Sequence, residues 1–302
     1  MLRTRLHPSG QGLAAGLAAY ICWGFMPLLF HALAQVPPFE VVAWRVVFSL
    51  PLCMVFTALG KSWGDLAAAL RRPGLVLRLL ASALLIASNW TIYVTAVVYG
   101  HVLATSLGYY INPLINVLIG TVFLHERLGW RQWSAVALAG VGIALLMAGA
   151  VEMLGTALLL AGTFALYGLV RKLTPVPAIT GLTIETMVLC PLAVVWLVVA
   201  AHAPQGLRIA DGGLTMVLLI GTGLTTTVPL ILFAVAARNL PLSSLGFLQF
   251  TAPTIVFLIG LALGEALDRV QLACFVLIWI AVALFVWDLW RRTRYFSSPA
   301  AS

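Results

Sequence analysis

Ten runs of about 20 apolar residues, each long enough to cross a hydrocarbon core about 30 Å thick, take up almost the whole chain: roughly 11–33, 39–59, 75–98, 102–124, 131–149, 153–172, 179–201, 213–236, 241–263 and 269–290. Nothing else in the chain narrows the fold so far. In lipid every backbone amide needs an internal partner, and these runs exceed the length of a barrel strand, about 10 residues, so each reads as a helix. Of 302 residues, 62% are hydrophobic and 9% are charged, against roughly 25% charged in soluble domains. The expected fold is all-α: a polytopic membrane protein with ten transmembrane helices. The connections are too short for a soluble domain, so any binding must occur among the helices. The run after MLRTRLHPSGQG is too long for the core of a signal peptide and reads as an uncleaved first helix.

An internal echo divides the chain. SLGYYINPLINVLIGTVFLHERL begins at Ser106 and SLGFLQFTAPTIVFLIGLALGEAL at Ser244, each with an aromatic residue after the Ser-Leu-Gly, a central proline (Pro113, Pro253) and a closing glutamate (Glu126, Glu265). They are the fourth spans of two groups of five. An odd number of spans reverses the orientation of the second group, so two repeats, 11–149 and 153–290, are expected to be inverted in the membrane, joined by a turn near Glu152. Tyr20, Trp23 and Gly24 correspond to Phe164, Tyr167 and Gly168, while Arg45 precedes Pro51 as Glu185 precedes Pro191, by six residues (51 − 45 = 191 − 185 = 6).

The net charge of +8 does not point to nucleic acid, because the basic residues mark one side of the membrane. With the N-terminus inside, the inner loops collect nearly all the lysines and arginines and the outer loops keep only Arg208 and Arg269. That bias places both termini in the cytoplasm and favours contact with anionic lipid. Cys22, Cys53, Cys190 and Cys274 fall inside spans without C-x-x-C spacing, so neither a disulfide framework nor a metal site is expected.

Charged and polar residues inside the spans are the candidates for function. Arg45 reads as the only basic residue deep in a span and Glu185 as the only acidic one. A charge in the bilayer costs at least about 2.5–3.5 kcal/mol, so such residues usually face a polar cavity. Two readings of Arg45 stand: attraction of an anionic substrate, or a bond to neighbouring carbonyls that ties helices together. Glu185 is either a proton-coupling acid or a structural hydrogen-bonding group. Helix geometry puts the two near opposite faces, which favours two separate vestibule charges. Tyr109, Asn112, Asn116 and Gly120 share a face of the fourth span, with Asn89, Trp90 and Tyr93 on the third. They read as a cavity wall or as interhelical glue. Trp23 on the first span, with Tyr167, Thr225 to Thr227, Phe247, Gln249 and Phe250 in the second half, completes the set. The substrate-binding set expected from these residues is Trp23, Arg45, Asn89, Tyr93, Tyr109, Asn112, Tyr167 and Gln249, with Glu185 as the coupling candidate.

The strings SLGYYINPL, NWTIYVTAV, FALYGLVRKL with TGLTIET, and SLGFLQFTAPT resemble the RarD branch of the EamA, or drug/metabolite transporter, superfamily across nearly the whole chain. The resemblance implies a ten-helix bacterial inner-membrane protein of two inverted five-helix repeats that exports small metabolites or drugs. Its motifs carry over to Trp23, Gly24, Pro27, Arg45, Asn89, Trp90, Tyr109, Asn112, Pro113, Tyr167, Glu185, Gln249 and Pro253. Where the branch tends to carry a basic residue after WG-x-x-P-x-aromatic-aromatic, this chain has Leu29-Phe30-His31.

The leading expectation is a secondary transporter that alternates access around a central cavity, with a small molecule as substrate and membrane lipid as surroundings. No Walker A motif occurs, and no cofactor is expected. An intramembrane enzyme would need convergent acids, a histidine cluster or an activated nucleophile, none of which the spans supply. A channel or scaffold is the remaining alternative.

Overall fold

A computed structural model describes residues 10–98, 102–147, 154–262 and 269–297. Among these every regular element is helical. In chain order they are α1 (Gly10–Gly24), α2 (Met26–Ala32), α3 (Pro38–Leu59), α4 (Trp63–Leu70), α5 (Pro73–Val98), α6 (Val102–Val122), α7 (Trp130–Met147), α8 (Leu154–Leu173), α9 (Ala178–Ala201), α10 (Gly213–Asn239), α11 (Leu242–Gln249), α12 (Thr251–Ala262) and α13 (Arg269–Ser297), with a 3₁₀ turn at Arg208–Asp211 before α10. Seven spans are long and apolar enough to cross a membrane, α1 with α2 and α11 with α12 each counting as one. The helices α6, α7 and α13, of 21, 18 and 29 residues, complete the ten. Glu152 and Glu265 lie outside the described residues.

Prolines explain where spans begin and where they break. Pro38 and Pro73 sit at helix starts, where a missing amide costs nothing. The first span breaks at Phe25, two residues before Pro27, and the ninth at Phe250, three before Pro253. Each proline withholds the amide that the carbonyl four residues earlier would accept. The two breaks are neighbours, since a Cβ on Gly24 would lie 2.8 Å from Ile255 of α12. Pro51, Pro113, Pro191 and Pro229 are accommodated inside unbroken helices. Between the second and third spans α4, which the apolar runs did not reveal, tucks Leu66 and Ala69 against Leu79, Val176 and Ile184.

The fold is two inverted five-helix repeats, and they interlock instead of standing side by side. The principal packings join different halves: α6 on α8 and α11, α7 on α13, α3 on α9 and α10, α1 on α10 and α12, α5 on α8 and α9. Small residues permit the closest crossings. A Cβ on Gly246 of α11 would come 2.8 Å from the Pro113 carbonyl of α6, and one on Gly223 of α10 would come 2.7 Å from Phe48 of α3. At one end Glu126, just past α6, reaches across the halves. Its carboxylate accepts the backbone amides of Leu242 (2.6 Å) and Ser243 (3.0 Å) and the Ser243 hydroxyl (2.7 Å). It thereby caps the otherwise unpaired first turn of α11.

Candidate functional site

Arg45 and Glu185 occupy mirrored places, each seven residues into the second span of its repeat (45 − 38 = 185 − 178 = 7). At 1.5 Å per residue each lies about 10 Å from its own helix start. The helices enter from opposite ends, so the two charges sit at different depths. Each bonds across to the third span of the other repeat. Arg45 Nε donates to Thr226 Oγ1 of α10 at 2.9 Å, and Ser82 of α5 donates to Glu185.

Their surroundings differ. Glu185 is enclosed, with 1% of its surface exposed, and it faces no vestibule, which corrects that part of the sequence expectation. It forms an ion pair with Arg171 (Nη1 to Oε1, 3.4 Å) and lies 3.4 Å from the Tyr167 hydroxyl. Arg171 is itself buried, at 2% exposure, and its Nη2 donates to the Ala178 carbonyl at 3.0 Å. Gly181 makes the space for it, because a Cβ there would fall 1.8 Å from Arg171 Nη1. Arg45 instead has aromatic company. Its guanidinium carbon stands 4.9 Å from the Trp90 ring centre and 5.7 Å from that of Phe30. Tyr93 and Tyr109, with ring centres 6.1 Å apart, lie within electrostatic range of that charge.

Beside Glu185 lies a cavity of about 10 Å³, room for about one water, whose wall includes Thr226, the partner of Arg45. Its wall is drawn from both repeats: Val46, Ser49, Ile86 and Trp90 from the first, Glu185, Thr186, Thr226 and Thr227 among those from the second. The Thr227 hydroxyl is buried at that wall without a hydrogen-bond acceptor or donor placed on it among the described residues.

The other expected site residues fall into two further groups. Trp23 and Tyr167 belong to an aromatic cluster that shares Phe233, at ring distances of 5.7 and 5.8 Å, and Phe164, at 5.7 and 6.1 Å. The amides are used between helices. Asn89 donates to the Leu160 carbonyl (2.8 Å) and Thr163 (3.0 Å), and Asn112 donates to the Ala161 carbonyl (3.1 Å). Asn116 donates to Asn112 (2.9 Å) and Gln249 (3.2 Å), linking α6 to α11. Among the expected binding residues, Arg45, Tyr93 and Tyr109 therefore come together, Trp23 and Tyr167 share a second cluster, and Asn89, Asn112 and Gln249 hold helices to one another. Tyr109 is 46% exposed. His31 is exposed near the end of α2.

Sequence reasoning counted Arg171 among the loop cations and so missed the partner of Glu185. Helical spacing carried the signal: Arg171 follows Tyr167 by four residues, on the same face of α8. Glu185 is also not the only buried acid. Glu40 of α3 accepts the backbone amides of Arg208 and Ile209, both at 3.1 Å, and Asp288 of α13 pairs with Arg131 at 3.6 Å.

Residues 10–148 match the EamA-like transporter family. An uncharacterized transporter of Pseudomonas aeruginosa is 43% identical over 96% of this chain and 97% of its own length. Protein RarD of Escherichia coli is 40% identical over 92% of this chain and 94% of its own. A solved crystal structure only 18% identical superposes with a TM-score of 0.71 over 90% of this chain and 96% of that one, which supports the fold alone. By these likenesses and its apolar helices, the chain is a bacterial multi-pass membrane transporter and belongs to the RarD branch of the EamA, or drug/metabolite transporter, superfamily.

Proposed function

We propose that the protein is a secondary transporter that exports small metabolites or drugs across the bacterial inner membrane by alternating access, with both termini in the cytoplasm and repeats bounded at 11–149 and 153–290. The observation that carries this reading is the cavity lined by Glu185, Trp90 and Thr226, whose wall both repeats supply. With room for about one water, it is the closed waist of a path that must open to one end at a time. Because the repeats interlock, the moving parts are helix groups drawn from both halves, not one repeat against the other. The binding surface is the set Trp23, Arg45, Asn89, Tyr93, Tyr109, Asn112, Tyr167 and Gln249, with the amides holding the helices that carry the aromatic groups.

Glu185 is the candidate coupling acid. Protonation would dissolve its ion pair with Arg171 and loosen the α5, α8 and α9 contacts that meet there. An untargeted comparison of metabolites released by cells with and without the protein identifies the solute. Its uptake into inside-out vesicles, with and without a pH gradient, then tests direction and coupling. Gradient-driven uptake is expected in the wild type and lost in the double variant Glu185→Gln/Arg171→Met. Gradient dependence that persists in the double variant removes Glu185 from coupling, and uptake absent from inside-out vesicles refutes export.

A further inference from the structure

The cations at and near the helix packing of this bundle are used in two ways. Arg171 spends its guanidinium on Glu185 and the Ala178 carbonyl, Arg238 donates to the Val176 carbonyl, and Lys172 donates to the carbonyls of Ala237 and Leu240. Those three tie helix ends together. Arg45, with 8% of its surface exposed, bonds a side-chain hydroxyl through Nε alone. Among the described residues no acceptor takes its Nη1 or Nη2, and no carboxylate lies within 4 Å. Glu40, five residues earlier on the same helix, is rotated by about 140° at about 100° per residue. It is occupied by Trp44 and the amides of the 3₁₀ turn. Glu185 is occupied by Arg171. The centre of the bundle therefore holds one cation whose counter-charge the described residues do not supply.

From this geometry we infer that Arg45 is the anion-binding residue of the transport path and that the substrate is a monoanion, a single carboxylate on a flat apolar body. The inference rests on the transporter reading and narrows its substrate class. Thr226 fixes the guanidinium through Nε, and its own hydroxyl is oriented by the Thr222 carbonyl at 2.6 Å. The Nη pair remains as a planar fork, the shape that holds a carboxylate by two parallel bonds. The guanidinium stands over the Trp90 and Phe30 rings, and Tyr93 and Tyr109, with ring centres 6.1 Å apart, lie within electrostatic range of it. An aromatic or similarly flat substituent fits those walls. A second negative charge would meet no second free cation among the described residues of the centre, and a cationic substrate would be repelled by Arg45. A carboxylate bound there would neutralise a charge that lipid surroundings make costly.

The test uses the full-length protein in nanodiscs and three probes of matched shape: 3-phenylpropionate, its neutral amide 3-phenylpropanamide, and 3-phenylpropylamine. Binding is measured by calorimetry, and transport separately in proteoliposomes. The carboxylate is expected to bind about tenfold or more tightly than the amide, the scale of a charge-assisted hydrogen bond, with the amine weakest. Arg45→Gln should abolish the preference, and Arg45→Lys should retain part of it, because a point charge lacks the fork. Carboxylate binding no tighter than that of the amide, absence of binding by either included, overturns the inference, and that comparison needs no variant. A preference that survives in Arg45→Gln overturns it as well. Arg45-dependent binding of a carboxylate that proteoliposomes never move would leave the inference standing and count against the transporter reading. Transport of neutral compounds that is indifferent to Arg45 would do the reverse.

Discussion

Removing the charge of Glu185 isolates an ion pair that, among the described residues, is buried on both sides. The Arg171–Glu185 pair spans 3.4 Å, with side chains 1% and 2% exposed. At an effective dielectric constant near 20, unit charges at that distance attract by about 5 kcal/mol. The net worth of the pair is smaller, because both ions lost their hydration on burial. Glu185→Gln keeps one acceptor oxygen, enough for Ser82, sets an amide NH2 opposite the Tyr167 hydroxyl and removes the anion, leaving Arg171 with the Ala178 carbonyl and an Nε that has no partner. Breaking one side of such a pair costs about 3–5 kcal/mol, whereas replacing both ions by uncharged groups is often close to neutral. The expected pattern is therefore a large loss for Glu185→Gln, a comparable loss for Arg171→Met, and recovery to within about 1–2 kcal/mol of wild type in the double variant. Reversible unfolding by SDS titration of the purified protein, run as a double-mutant cycle, measures all three. A Glu185→Gln protein within about 0.5 kcal/mol of wild type, the range of ordinary surface substitutions, would refute the reasoning and mean that the pair stabilises nothing.

Two further outcomes follow from the cross-repeat contacts. Glu126→Ala strips three acceptor bonds from the start of α11 and should lower stability by about 1–2 kcal/mol in the same titration; Glu126→Gln, which keeps one acceptor oxygen, should lose less, and equal losses would deny the capping role. Gly246→Val places a side chain where the Pro113 carbonyl and Asn116 already stand, at 2.8 and 3.0 Å from the Cβ position. It should force α6 and α11 apart, visible as weaker cross-linking between cysteines placed at Asn116 and Gln249. Cross-linking equal to the parent pair would contradict the close crossing.

Span positions were legible because they depend on one quantity, the length of apolar chain, and the helices start and stop within a few residues of the expected limits except at the end of α13. Inversion was legible too, since it follows from counting an odd number of spans. The breaks at Phe25 and Phe250 were not, because six prolines occur at or near comparable positions and only packing decides which of them interrupts a helix. Roles within the site were harder still. Asn112 and Gln249 stood out as polar groups among apolar neighbours, yet composition cannot distinguish an amide turned toward a substrate from one turned toward Asn116. Arg171 escaped notice for the opposite reason: near a chain turn it resembled the other inner cations, and its burial comes from the first turns of α9, where Gly181 leaves room for it beside Ala178 and Glu185.

Reciprocal bonding by Arg45 and Glu185 also bears on how far the two halves have become specialists. Each bonds a hydroxyl of the other repeat from the same relative position, so a protein assembled from two copies of one half would carry arginine, or glutamate, at both places. Opposite signs at equivalent places are available only to a chain whose halves are written separately. The duplication preserved the architecture, while the unlike charges, each held by a hydroxyl of the opposite half, made the halves unequal.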